Sequence, residues 1–195
     1  MILGITGGTG CGKTTLLEAI QSLGGLVLDC DAIYHELLLS DKEMLSGIAE
    51  RFPGTVENGV LQRKKLGAIV FVDEKALLDL NRITHSAVKN EVLRRLEAEP
   101  ALAAIDAIGL FEGGLAELCD VTVAVTAPTE ERVRRLMARD DISEEYARSR
   151  IAAQHNDDWF RVRCTHVLEN TGTKADFRAK CIAFLRDFGI MEEKM

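Results

Sequence analysis

The sequence predicts an α/β fold: a three-layer α/β/α arrangement around a five-stranded parallel sheet, with a helical insertion after the second strand and a helical lid after the fourth. Three observations carry this. Residues 1–6 form a short apolar run that leads straight into Gly7-Gly8-Thr9-Gly10-Cys11-Gly12-Lys13-Thr14, a phosphate-loop spacing of G-x-x-x-x-G-K-T set between a strand and a helix. Apolar runs of strand length recur at residues 26–28, 102–111, 121–125 and 167–168, with helical stretches between them, as parallel strands require. The region from residue 32 to 100 is mostly helical and lies between the second and third of those strands.

The loop states its chemistry. Glycines let successive backbone N–H groups converge on an anion, and the helix behind adds the positive end of its dipole. Lys13 can reach the outer phosphates of a nucleoside triphosphate, and the Thr14 hydroxyl can ligate the magnesium that bridges them. Cys11 contributes its backbone N–H rather than its sulfur.

At 195 residues the chain reads as one core with inserted subdomains: core segments 1–31, 101–138 and 164–195, a helical substrate subdomain at about 32–100 and a lid at about 139–163. A net charge of −7 argues against nonspecific nucleic-acid binding, which needs a basic surface. No apolar stretch has transmembrane length and no basic leader precedes the first strand, so the expectation is a cytoplasmic protein without a membrane role. The cysteines at 11, 30, 119, 164 and 181 lack metal-binding spacing and read as reduced thiols.

In chain order, residues 14–23 read as a helix ended by Gly24-Gly25. The second strand, 26–28, runs into Asp29-Cys30-Asp31, where strand alternation would point both acids the same way. Asp31 there could serve as a general base, hold magnesium through water, or simply cap a helix over 32–39. Residues 41–52 form another helix, Glu57-Asn58-Gly59 a turn, and Asp73 caps a long helix to about residue 99 with Leu77, Leu80, Ile83, Val88 and Leu96 inward. Gln62-Arg63-Lys64-Lys65 and the pair His85 and Lys89 read by themselves as solvated charge. Beyond the fourth strand, Pro128 opens a helix on which Arg132, Arg135 and Arg139 share a face opposite Val133, Leu136 and Met137. The first two read as exposed arginines paired with Glu131 or Asp140. Ser143 caps a second lid helix to Gln154, and residues 177–188 form the last helix.

Together these residues resemble the dephospho-CoA kinase family of P-loop kinases, over nearly the whole chain. Thr6-Gly7-Gly8-Thr9-Gly10-Cys11-Gly12-Lys13-Thr14-Thr15 looks like the family's T-G-G-x-G-S-G-K-S/T. Leu28-Asp29-Cys30-Asp31 is similar to its D-x-D, Leu61-Gln62-Arg63 to its L-x-R, and Gly109-Leu110-Phe111-Glu112 to its L-L-F-E. Arg139-Asp140-Asp141-Ile142-Ser143, Arg150-Ile151 and Gln154 resemble its lid, and Asn170-Thr171-Gly172 its closing N-x-G. The resemblance implies ATP-dependent phosphorylation of the ribose 3′-hydroxyl of dephospho-CoA, with ATP and Mg²⁺ as cofactors and a monomer or weak homo-oligomer. It implies Asp31 as general base, Lys13 and Arg139 on the phosphates, and Thr14 on the metal. Gly8, Gly10, Cys11, Gly12 and Thr15 complete the nucleotide site, and Arg63 and His85 join Asp31 on the dephospho-CoA side. The chain departs from the pattern at Ser86, Gly109, Phe160 and Thr165.

Two other readings share parts of this pattern. A kinase for another small hydroxyl acceptor, a nucleoside or nucleotide, would have the same loop, aspartate and lid. A GTPase-like switch would use Asp106-Ala107-Ile108-Gly109 as D-x-x-G and Thr173-Lys174-Ala175-Asp176 as T-K-x-D. Position argues against the switch, because the apolar run to Phe111 puts Asp106 inside the third strand and Thr173 lies beyond the fifth.

Overall fold

The computed structural model describes residues 1–190, so the last five residues of the expected core segment 164–195 lie outside the described residues. The expected α/β architecture is present. Strands β1 (Ile2–Thr6), β2 (Leu26–Asp29), β5 (Ala103–Asp106), β6 (Val121–Thr126) and β7 (His166–Glu169) form one sheet in the order β2-β5-β1-β6-β7. The central strand β1 is parallel to β5 on one side, with Ile5 opposite Asp106, and to β6 on the other, with Ile5 opposite Val123. Central parallel strands are covered on both faces, which is why β6 is buried along its whole length.

Two compact units divide the chain: residues 1–28, 100–110 and 116 onward form one, and residues 29–99 with 111–115 form the other. In the first, α1 (Lys13–Ser22) packs on α9 (Lys174–Asp187), and α6 (Thr129–Asp140) packs on α7 (Glu144–Ala152). Its core joins Leu3 and Ile5 of β1 to Leu16 and Ile20 of α1, Val123 and Val125 of β6, and Phe177 and Leu185 of α9. In the second, α2 (Cys30–Ser40), α3 (Lys42–Arg51) and α4 (Arg63–Val70) all pack on the long α5 (Glu74–Leu96). A hairpin of β3 (Val56–Glu57) and β4 (Val60–Leu61) joins α3 to α4, turning through Asn58 and Gly59 at φ 51° and 76°. Asp73 caps α5 as expected, accepting from the Lys75 and Ala76 amides. The buried face of α5 is Ala76, Thr84, Val88 and Val92, however, and Leu77 is exposed.

Three expectations need correction. The third strand ends at Asp106: the Ala107 amide still donates to the Ile5 carbonyl at 3.1 Å, and the chain then turns. Leu110 is fully buried as a loop residue beneath Gly4, so its apolarity reported burial, not extension. Secondly, Asp29 is the cap of α2, its Oδ1 accepting from the Asp31 and Ala32 amides at 2.9 and 3.0 Å. Asp31 therefore sits in the first helical turn, and the strand alternation expected to align the two acids stops at Asp29. Thirdly, the second lid helix ends at Ala152, and a short α8 (Asp157–Arg161), capped by Asn156, follows it. No helix among the described residues is long and apolar enough to cross a membrane.

Candidate active site

The phosphate loop leaves β1 at the centre of the sheet, at the strands' carboxyl edge where parallel α/β proteins bind ligands. Gly12 caps α1 with φ 103°, a conformation that favours glycine, and a side chain there would also begin 2.3 Å from the Asn170 amide nitrogen. Lys13 folds back across the loop and donates from Nζ to the Gly7 carbonyl at 3.0 Å. Thr14 is exposed in the first turn of α1, while Thr15 is buried.

The outer side of the loop is held by donors. Arg132 Nε donates to the Thr9 carbonyl at 2.9 Å, and Arg135 Nη1 to the Gly10 and Cys11 carbonyls at 3.2 and 3.3 Å. Asn170 Nδ2 donates to the same Cys11 carbonyl at 2.9 Å, and its Oδ1 accepts from Arg135 Nη2 at 3.3 Å. All described peptides are trans, so a carbonyl drawn outward turns the next residue's N–H the opposite way. Pinning Thr9 and Cys11 thereby aims the Gly10 and Gly12 amides away from these donors, which pre-orients the loop for an anion. The Cys11 amide makes a longer 3.3 Å bond to the Gly8 carbonyl.

Sequence reasoning missed Arg132 and Arg135, which it took for exposed, ion-paired residues; Arg132 is 3% exposed. Periodicity placed them on one helix face with Arg139 but could not show which partner that face meets. Arg139 itself is exposed at the end of α6 and makes a bidentate pair with the adjacent Asp140, at 2.7 and 2.9 Å. Asp140 also accepts from Arg150 Nη1 at 2.6 Å, and the two arginines hold its carboxyl well below the usual range.

Asp106, expected inside the third strand, instead ends it. At the end of β5 its charge reaches the loop: burial pushes the Cys11 thiol up, Lys13 and Arg132 oppose this, and Asp106 adds to it. The positional argument against a D-x-x-G role therefore fails for Asp106. The T-K-x-D match still lies off the sheet, with Thr173 capping α9 beyond the end of β7.

In the second unit, Asp31 is exposed in the first turn of α2 and Arg63 is exposed at the start of α4. Tyr34, one turn after Asp31, has its hydroxyl pKa pushed up by burial and pulled back by the nearby Arg63 charge. His85 is half-buried on α5, one turn before Lys89, whose Nζ lies 3.2 Å from where a Gly114 side chain would begin.

The departures from the family pattern are built into the fold. Phe160 is 1% exposed and packs edge-on against Trp159, with ring centroids 5.1 Å apart. Thr165 exchanges bonds with Thr122 across β6 and the start of β7, at 2.9 to 3.0 Å. Arg161, next to Phe160, pairs with Glu169 at 2.6 Å. Ser86 is exposed on α5, and Gly109 lies in the turn after β5.

Comparison with known proteins places this geometry. The family profile described as Dephospho-CoA kinase matches residues 1–176. The chain is 36% identical to a dephospho-CoA kinase of Corynebacterium diphtheriae, over 89% of this chain and 90% of that protein. It is 38% identical to one of Thermus thermophilus, over 96% and 91%. Among solved structures it resembles the protein TT1252 of Thermus thermophilus (37% identity, TM-score 0.79, covering 96% of this chain and 97% of that one). It also resembles a dephospho-CoA kinase of Campylobacter jejuni (27%, TM-score 0.68, 97% and 98%). A shikimate kinase of Bacteroides thetaiotaomicron, at 12% identity, TM-score 0.59 and coverage of 97% and 98%, shares the fold alone. With a phosphate loop at the sheet's edge and a family match over most of its length, the chain belongs to the dephospho-CoA kinase family.

Proposed function

We propose that this protein transfers the γ-phosphoryl group of ATP to the ribose 3′-hydroxyl of dephospho-CoA, giving CoA and ADP in the last step of coenzyme A biosynthesis. The observation that carries this is the pre-oriented phosphate loop on a chain that matches dephospho-CoA kinases over most of its length. Phosphoryl transfer asks a protein mainly for positioning and charge neutralisation. In this reading the loop residues Gly8, Gly10, Cys11, Gly12, Thr14 and Thr15 and the Lys13 ammonium bind the ATP phosphates. Arg139, released from Asp140, adds a further charge on the transferring group. Asp31 takes the hydroxyl proton from its exposed position in the first turn of α2. Arg63 and His85 orient dephospho-CoA, with residues 32–100 as the acceptor side and 139–163 as a lid that excludes water.

Magnesium fits the residues present. The Thr14 hydroxyl is exposed beside the Lys13 turn, and Asp106 ends the neighbouring strand close enough to act on Cys11. Thr14 and Asp106 would hold Mg²⁺, which supplies charge neutralisation on the phosphate oxygens. The remaining features of the reading are a cytoplasmic protein, monomeric or weakly oligomeric, with small-molecule substrates and no nucleic-acid or membrane partner. Purified protein incubated with Mg-ATP is expected to form ADP in proportion to added dephospho-CoA. ADP formation that ignores dephospho-CoA but follows a nucleoside, a nucleotide or GTP would overturn it.

A further inference from the structure

One residue of the phosphate loop, Thr9, is gripped through both of its peptides. The Thr9 amide donates to Gln154 Oε1 at 2.7 Å, just beyond α7, and the Thr9 carbonyl accepts from Arg132 Nε at 2.9 Å. Arg132 continues the connection: its Nη1 lies 3.3 Å from Oδ1 of Asp157, the first residue of α8. Its third nitrogen, Nη2, is buried without a hydrogen-bond partner among the described residues, against Gly8. A side chain on Gly8 would begin 2.1 Å from that nitrogen, so the loop's second glycine is matched to this guanidinium.

Such an arrangement is costly for a residue that merely fills space. A buried guanidinium met by one carboxylate at long range keeps part of its desolvation penalty, and an unmet donor adds more. What the cost secures is position. The Thr9–Gly10 peptide cannot rotate without breaking the Arg132 bond, and α8 cannot shift without disturbing the contact of Asp157 with Arg132.

We infer that Arg132 is a positioning residue for the nucleotide: it holds the Thr9–Gly10 peptide in its phosphate-binding orientation and couples that peptide to α8, so that nucleotide binding is transmitted to α8. The inference rests on the kinase reading above. It carries its own reporter, because the chain's single tryptophan, Trp159, lies on α8. Its ring stacks on His155 at 3.9 Å and under the Arg163 guanidinium at 4.1 Å, so a small movement of α8 changes its surroundings.

The test compares wild type with R132M, which keeps an unbranched apolar stem but removes all three donor nitrogens, and with R132K. Binding of a non-hydrolysable ATP analogue by calorimetry, Trp159 emission on adding it, and KM for each substrate are measured beside thermal melting. R132M is expected to weaken analogue binding and raise KM for ATP about tenfold, the scale of one lost charge-assisted hydrogen bond. KM for dephospho-CoA stays within about twofold, the scatter expected where no contact is lost. The Trp159 response is lost, and R132K recovers part of the affinity. Should R132M fail to fold, Q154A and D157N cut the same connection from the other side, and each is expected to weaken or abolish the Trp159 response. Variants that fold, bind the analogue as wild type does and keep its Trp159 response overturn this inference alone. Wild type that binds no ATP analogue overturns it together with the kinase reading.

Discussion

The Asn170 amide nitrogen lies 2.3 Å from the point where a side chain on Gly12 would begin, and it donates to the Cys11 carbonyl one residue earlier at 2.9 Å. One buried side chain thus both requires the glycine and shapes the loop beside it.

Gly12→Ala should therefore act on nucleotide binding. An L residue at φ 103° is strained by roughly 1–2 kcal/mol, before the displacement of Asn170 is counted. ATP-analogue affinity measured by calorimetry is expected to fall at least about tenfold, since 1.4 kcal/mol is a factor of ten. Unchanged affinity would contradict the role given to Asn170.

The two acids after β2 should separate into different defects. Asp29→Ala removes the α2 cap and is expected to cost about 1 kcal/mol of stability by denaturant unfolding. Asp31→Asn should leave stability and ATP binding near wild type while lowering kcat about 10²- to 10⁴-fold, the range of a lost general base. Turnover that survives in D31N assigns the base to another group.

Asp106→Asn tests the metal assignment. The variant should need more Mg²⁺ for half-maximal rate and lose about ten- to a hundredfold in kcat, as expected when a bridging cation is held less well. A magnesium titration of initial rates that superimposes on wild type removes Asp106 from the metal site.

Acid stability should draw on Glu91. Hydrogen bonds from Arg94 and then Arg95 lower its pKa from 4.5 to about 2, so the folded state favours the ionised form. Stability from this group is present above its unfolded pKa near 4.5 and is lost as pH falls through 4.5 toward 2. Glu91→Gln is expected to be less stable than wild type at pH 6, with the gap narrowing in urea melts as pH falls through 4.5 toward 2.

Legibility followed the range of the interaction. The strand, loop and helix from Ile2 to Ser22 were readable because glycine spacing, Lys13 and Thr14 act within a few residues of one another. The caps at Asp73 and Ser143 depend only on an oxygen two or three residues before an amide. At Asp29-Cys30-Asp31 the same local rule was available but was assigned to the wrong aspartate, because either acid could end the strand. The end of β5 was unreadable for a different reason: Leu110 is as apolar in a turn as it would be in a strand.

By itself the sequence determined the α/β class, the phosphate loop and the family, since each is carried by residue types at short, fixed spacing. Only the tertiary structure decided that Arg132 and Arg135 grip that loop, that Gln154 and Asn170 complete the grip, and that Asp106 ends the neighbouring strand. Arg132 is 123 residues from Thr9 along the chain, and Asn170 is 159 from Cys11. A helical period tells which arginines share a face. Which backbone that face meets is set by how β6 and α6 lie beside β1 in the folded sheet.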